Sequence, residues 1–308
     1  MLMNIERSLR NFTPISLDEL NGKAGMMERL DNKYVIREAD LVEALGDFSE
    51  LFDVLEISGK RMFNYVTQYF DDEGLCSYHD HQRGRRKRCK VRVRSYNDSG
   101  ACFVEIKLKD KRGITIKKRM ELASHDPASL DDNAMAFVRR TYESLYREPF
   151  RHQIGPVISM QYQRMTLVAK QGGERLTIDG AINLRGHNSS LNVPDGILIL
   201  ESKSARGNGV ADKILRKLHQ HPVPRCSKYC VGMAALGQVG KFNTFLPALR
   251  RLEISPPVPA LEHRLALPLA AARQVGPAVR SGRGRLGHLL AKLPFGGLFV
   301  KQGAAALN

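Results

Sequence analysis

Hydrophobic and polar positions alternate with a period of two over several stretches of the first 240 residues. The clearest lies between Arg88 and Arg119. In R-C-K-V-R-V-R-S-Y, Arg88, Lys90, Arg92 and Arg94 share one face of a strand, and Cys89, Val91 and Val93 share the other. In F-V-E-I-K-L-K, Glu105, Lys107 and Lys109 fall together, opposite Val104, Ile106 and Leu108. A third run puts Ile114, Ile116, Lys118 and Met120 opposite Thr115, Lys117 and Arg119. Asn97-Asp98-Ser99-Gly100 and residues 110–113 read as hairpin turns. Three consecutive strands would thus bring many cations and one carboxylate onto one surface.

The same pattern predicts further strands. M-E-R-L-D-N-K-Y-V-I-R groups Arg29, Asp31 and Lys33 against Leu30 and Tyr34. Residues 65–72 form a strand ending in an acidic turn, and residues 74–84 read as a short connection. S-M-Q-Y-Q-R-M-T-L-V groups Tyr162 with Arg164. After Gly172-Gly173, E-R-L-T-I-D-G lines up Arg175, Thr177 and Asp179, and G-I-L-I-L-E-S-K ends with Glu201 and Lys203 on one side. A three-to-four spacing of Leu41, Val42, Leu45, Phe48 and Leu51 predicts a helix over 38–52. Asp126-Pro127 starts a helix running to Tyr146, and two more are predicted over 209–219 and 227–236. Residues 1–25 read as a lead-in helix and loop.

About eight strands that carry charge on one face do not suit an ordinary sandwich, which hides apolar side chains inside. A closed antiparallel barrel with a ligand-filled lumen does the reverse, with helices on its apolar exterior. Two like charges about 4 Å apart repel by roughly 4 kcal/mol at an effective dielectric near 20. The basic face is therefore either a solvated outer surface or a site for a polyphosphorylated anion. The formal net charge of +16 over 308 residues points to a polyanionic partner. The basic residues are not interleaved with aromatics, so no specific nucleic-acid partner is expected.

No apolar run approaches the length of a membrane span, and the first residues lack the apolar core of a secretory signal. Five cysteines with no C-x-x-C pair fit a reducing cytoplasm. Cys226 and Cys230 are helically spaced but lack a second ligand pair, and His79 and His81 read as a surface feature. Beyond Thr244 the composition becomes rich in Pro, Ala, Leu and Arg. Residues 244–308 are expected to form a poorly ordered basic tail. Its weakly amphipathic segment 286–300 offers contact with the inner face of a membrane, or with a membrane-protein partner.

Several short motifs occur in order between Arg29 and Leu236: R-L-D-N-K-Y, Y-F-D-D, K-V-R-V-R-x-Y, V-E-I-K-x-K, I-K-K-R, Y-x-R, R-L-T-I-D, L-E-S-K and S-K-Y. Together they make residues 26–243 resemble the VTC domain, the polyphosphate polymerase family within the CYTH-like triphosphate tunnel superfamily. The resemblance implies an α+β fold: a closed antiparallel eight-stranded β tunnel with helices packed outside. It further implies transfer of the γ-phosphate of ATP to a growing polyphosphate chain, with release of ADP and with Mn2+ or Mg2+ as cofactor. ATP and inorganic polyphosphate would be the partners.

The resemblance carries over residue by residue. Lys33 stands at the family's tunnel lysine of the first strand, and Arg92 and Arg94 match its R-x-R phosphate-binding pair. Lys107 matches the lysine of E-x-K, and Lys117 the lysine two before an arginine. Arg164 and Arg175 match two further phosphate-contacting arginines. Glu201 stands where the family holds its metal. Arg225 and Lys228 resemble a basic pair near the tunnel end, the first usually being lysine. Lys109, Arg119 and Lys203 join the same faces as further phosphate contacts. Glu105 is either a second metal ligand or the ion-pair partner that orients Lys107 or Arg92. Asp179 either pairs with Arg175 or binds metal. Two departures stand out. The wider superfamily opens with E-x-E-x-K where this chain has Arg29-Leu30-Asp31-Asn32-Lys33, and the last acidic strand reads E-S-K. Hydrolysis of triphosphate by the same fold, and non-catalytic binding of a polyanion, remain the alternative activities.

Overall fold

The structure, a computed structural model, describes residues 2–23, 30–110, 112–123 and 129–255. The elements run in the order α1 (Met3–Leu9), β1 (Pro14–Ile15), α2 (Leu17–Lys23), β2 (Leu30–Arg37), α3 (Glu38–Leu51), β3 (Phe52–Leu55), β4 (Phe63–Asp71), α4 (Cys76–Gln82), β5 (Arg88–Tyr96) and β6 (Ala101–Lys109). Then follow β7 (Thr115–Glu121), α5 (Asp132–Tyr146), β8 (Gly155–Ala169), β9 (Arg175–Arg185), β10 (Ser190–Asn192), β11 (Ile197–Ser204), α6 (Val210–Lys217) and α7 (Lys228–Ala235). A 3-10 turn over Asn243–Phe245 leads into α8 (Leu246–Arg251).

Eight strands pair side by side in the order β2-β11-β9-β8-β4-β5-β6-β7, every neighbour antiparallel. This is the expected strand number, but the sheet is an open, curled half-barrel and not a closed tunnel. Among the described residues β2 pairs only with β11 and β7 only with β6. Both edge strands carry cations. Edge strand β7 carries the exposed Lys117, Lys118 and Arg119, and lysine-rich edges resist further pairing. Lys33 lies on the other edge strand. Closure would press these cations together, although a long contact from Lys107 to Asp31 (3.5 Å) already reaches from β6 to β2.

The convex face is apolar, as the alternation requires. Helix α3 buries Leu41, Leu45 and Phe48 against Ile36, Leu176, Ile178, Leu198 and Leu200. Helix α5, whose N-cap Asp131 accepts the Ala134 N–H at 2.7 Å, buries Val138 and Tyr142 against Val91, Val93, Val104 and Ile106. Its described start is Asp132; Pro127, where the sequence places the helix start, lies outside the described residues.

Not every helix sits outside. α7 and α8 lie on the concave face, packed with Val35, Tyr69, Ile158, Met160, Ile182, Leu184 and Ile199. Gly232 permits the close approach: a Cβ there would stand 2.7 Å from Ile158 Cδ1 and from Met160 Cε. The inner face of the sheet therefore changes character along its strands. In β11, Ile197 and Ile199 meet helices, and Glu201 and Lys203, two and four positions further on, meet charge. Residues 74–84 contain a helix, α4, where the sequence suggested only a connection. α8 lies within the stretch where the composition shifts, and buries Ala248 and Leu249. Residues 286–300 and Arg29 lie outside the described residues.

Candidate active site

Strand register assembles the site. Across the sheet Tyr69 faces Arg92, Arg92 faces Glu105 and Glu105 faces Arg119. One step along, Lys90, Lys107 and Lys117 form a row. On the other wall Arg164 faces Asp179, Thr177 faces Glu201, Glu201 faces Lys33, and Arg175 faces Lys203, which faces Asp31. Opposed residues on neighbouring strands share a face. Seven strands thus direct basic side chains onto one concave surface, and four carboxylates, Asp31, Glu105, Asp179 and Glu201, answer them.

Each carboxylate is engaged. Glu201 takes Lys33 at 2.8 Å through one oxygen and Lys203 at 3.0 Å through the other. Glu105, 1% exposed, takes Arg92 at 2.6 Å and also Lys117, with Arg94 at 3.7 Å. Glu105 thus has ion-pair partners in Arg92, Arg94 and Lys117. Asp179, fully buried, grips Arg164 in a two-pronged pair at 2.6 and 2.7 Å and receives Lys228 at 2.6 Å. Planar guanidinium meets carboxylate in this forked manner.

Burial and pairing together set the protonation of the site. Burial opposes ionisation of Glu201, but Lys203 and Lys33 overcome it and hold the carboxyl well below its usual range. The same contest, won by Arg92, Arg94 and Lys117, keeps Glu105 ionised. Burial wins at some lysines. It lowers Lys203 to about 7 despite Glu201, and Lys90 to about 8 with repulsion from Lys107 and Lys33 adding to it. Lys117 is lowered to about 7 by burial, with repulsion from Arg92 and Arg94 outdoing part of the attraction of Glu105. Solvent reaches 41% of the Lys117 side chain, which moderates the effect there. A nearby negative charge would favour the charged form of these lysines.

Of the residues singled out by sequence, Lys33, Arg92, Arg94, Lys107, Lys117, Arg164, Arg175, Lys203, Lys228, Glu105 and Glu201 come together here. Lys109 sits at the margin and donates to the Gly113 carbonyl. Arg119 is exposed and lies over the Phe103 ring, 4.7 Å from its centroid. Arg225 does not join them: it is exposed and donates to the Gln82 carbonyl at the end of α4 at 2.8 Å.

Sequence reasoning missed a tyrosine layer. Arg164 lies over Tyr65 and Tyr162 at 5.2 and 5.3 Å, Arg94 over Tyr65 at 5.6 Å, and Arg92 over Tyr69 at 5.8 Å. Aromatics are therefore interleaved with the cations, against the expectation. They are buried beneath the guanidinium groups, however, and present no free face to a base. The signal was the alternation Tyr65-x-Thr67-x-Tyr69, which places all three on the concave face. Lys90 was visible on the basic face but was not assigned; it donates to Ser227 Oγ at 2.7 Å.

The VTC domain family model matches residues 28–237. The chain belongs to the VTC domain family. The match spans every strand from β2 to β11, together with α7. Among curated proteins none matches significantly. Solved structures with similarity to the VTC domain chain include a Pyrococcus horikoshii protein (14% identity, covering 65% of this chain and 96% of that one, TM-score 0.38). A Hippeastrum protein named for adenylyl cyclase and a dominant triphosphatase activity is also similar (12% identity, covering 70% and 99%, TM-score 0.37). No helix among the described residues is long and apolar enough to cross a membrane.

Proposed function

We infer that this VTC domain protein is a polyphosphate polymerase. The terminal phosphate oxygen of a polyphosphate chain attacks the γ-phosphorus of ATP, the bond from that phosphorus to the β–γ bridging oxygen breaks, and ADP leaves. One observation carries the reading: a concave surface on which Arg and Lys from seven strands outnumber carboxylates that are already paired. Phosphoryl transfer asks the protein for positioning and for compensation of oxygen charge, and needs no protein nucleophile. Arg92, Arg94 and Arg164, fixed by Glu105, Asp179 and the tyrosine rings, are preorganised forks for phosphate oxygens. Lys33, Lys107, Lys117, Arg175, Lys203 and Lys228 add charge along the path, with Lys109 and Arg119 at its margin.

The oxygen donors of the site suit a hard divalent cation. Thr177 Oγ1, buried without a hydrogen-bond partner, lies on the strand beside Glu201. Glu201 and Thr177 would hold Mg2+ or Mn2+, which would neutralise charge on the phosphate oxygens.

A second reading, triphosphate hydrolysis, is favoured by a different observation. The sheet is open along one seam, and α7 fills one end of the concave face, with Tyr229 stacked on Tyr69 at 5.1 Å. An open cleft admits water as acceptor, and a filled end suits a short chain. Incubation of the full chain with ATP and Mn2+, followed by gel electrophoresis of the products, separates the readings. A ladder of long phosphate chains with ADP is the expected result. Free phosphate without a ladder establishes hydrolysis instead, and absence of turnover leaves a binding protein.

A further inference from the structure

Away from the concave face, three donors of different chemistry converge. Asp72 follows β4 in its acidic turn, Cys76 opens α4, and His152 lies in the segment before β8. Their ligand atoms all lie within 4.8 Å of one another. Asp72 occupies the middle: its Oδ2 stands 2.5 Å from His152 Nδ1, and its Oδ1 accepts the Cys76 backbone N–H at 2.9 Å. A cavity of about 380 Å³ opens against the cluster, with Cys76, His152 and Asp80 on its wall. Cys76 and His152 are thus reachable from the cavity, which leaves room for another ligand.

We propose that Asp72, Cys76 and His152 form a zinc-class metal site, separate from the oxygen-donor site at Glu201. A thiolate, an imidazole and a carboxylate make a borderline-soft donor set that selects Zn2+ over Mg2+ or Mn2+. Three protein ligands with a cavity at the fourth position match an open tetrahedral site. Asp80, four residues beyond Cys76 and on the same wall, or a water fills that position. Binding releases the thiol proton and frees Asp72 from its hydrogen bond to His152. The cavity also carries Arg85, Arg86, Lys87 and Arg88. Arg85 is paired with Asp80 at 3.2 Å and Lys87 with Glu148, so with water as the fourth ligand two of these four cations stay compensated. The alternative role, a His–Asp pair that merely ties the segment before β8 to α4, requires no metal.

Titrating metal-stripped full-length protein with Co2+, then competing with Zn2+, tests the assignment. One equivalent of Co2+ should bring up a thiolate-to-metal charge-transfer band that Zn2+ abolishes. Cys76→Ala should remove the band, and His152→Gln should weaken Zn2+ binding by about 100-fold while circular dichroism stays native. Cys89→Ala, at the same cavity, should bind as the unmodified chain does. No thiolate band, a band that survives Cys76→Ala, or unchanged affinity in His152→Gln would overturn the site. Oxygen donors give no such band, so the result is independent of whether the chain makes polyphosphate.

Discussion

Glu201 bridges Lys33 and Lys203, and this small cluster couples the charge of the site to its ligand. Glu201→Gln keeps the size of the side chain and removes its charge. Turnover of ATP should fall by at least about 100-fold, comparable to losing one transition-state donor, with the circular dichroism spectrum unchanged. Retention of full turnover would remove Glu201 from the site. The lysines make a second, pH-dependent expectation. Lys203 is held near 7 when folded, against about 10.4 for a free lysine. The unfolded chain then binds more protons between these values, so this residue makes stability rise with pH across that window. A bound triphosphate reverses the effect by restoring the charged form. At about pH 8, tripolyphosphate binding should take up protons, and affinity should fall on going to about pH 9. Calorimetry in buffers of different ionisation enthalpy reads the uptake directly; binding with no proton exchange would contradict the lowered lysines. Strand alternation put Arg92 and Arg94 on one face of β5, and the family resemblance singled them out, with Lys107, as site residues. The pairing of Asp179 with Arg164 and Lys228 was not legible, because register between β8 and β9 and the seating of α7 bring those three together.

Among the elements, β5, β6 and α3 follow the hydrophobic pattern to within a residue or two. α4 does not, because its seven residues bury only Tyr78 and so show no amphipathic period. α7 was legible as a helix, but nothing in its own pattern says that it enters the concave face. Its residues from Tyr229 to Ala235 are all buried, so it has no solvent stripe to orient it. Gly232 is the point of closest approach, and larger side chains there test the seating. Gly232→Ala should be nearly neutral, since the methyl ends of Ile158 and Met160 can swing aside and alanine favours the helix. Gly232→Leu should destabilise by about 1–3 kcal/mol through overpacking, seen as a lower urea midpoint, and should weaken tripolyphosphate binding as Lys228 shifts. Equal stability of the two variants would place α7 elsewhere.

At the level of the whole molecule, a charge of +16 and a cation-lined concavity describe a fold that bears electrostatic stress until an anion arrives. Tripolyphosphate should raise the melting temperature, with a stabilisation of about 2.7 kcal/mol when its concentration is about 100 times its dissociation constant. The shift should shrink as salt rises, because part of the surface is reached by solvent and screened. A shift indifferent to salt, or absent, would mean that the cations do not act together. Closure of the half-barrel belongs to this level also. The edge strands β2 and β7 carry Lys33, Lys117 and Arg119, which a bound phosphate chain could bridge.

Alternation along each strand depends only on backbone geometry, so the chain's own order of residues already decides which side chains share a face and that the shared face is basic. It also carries the ordered motifs by which the VTC domain family is identified. Convergence is another matter. Whether the strands close, which carboxylate meets which cation, where the tyrosines lie and how α7 fills one end all depend on register, curvature and contacts between residues far apart in sequence. Asp72, Cys76 and His152 make the point most simply: no spacing links a cysteine to a histidine 76 positions away, and only the pairing of the end of β4 with the start of β8, Asp71 opposite Gly155, brings them within reach of one ion.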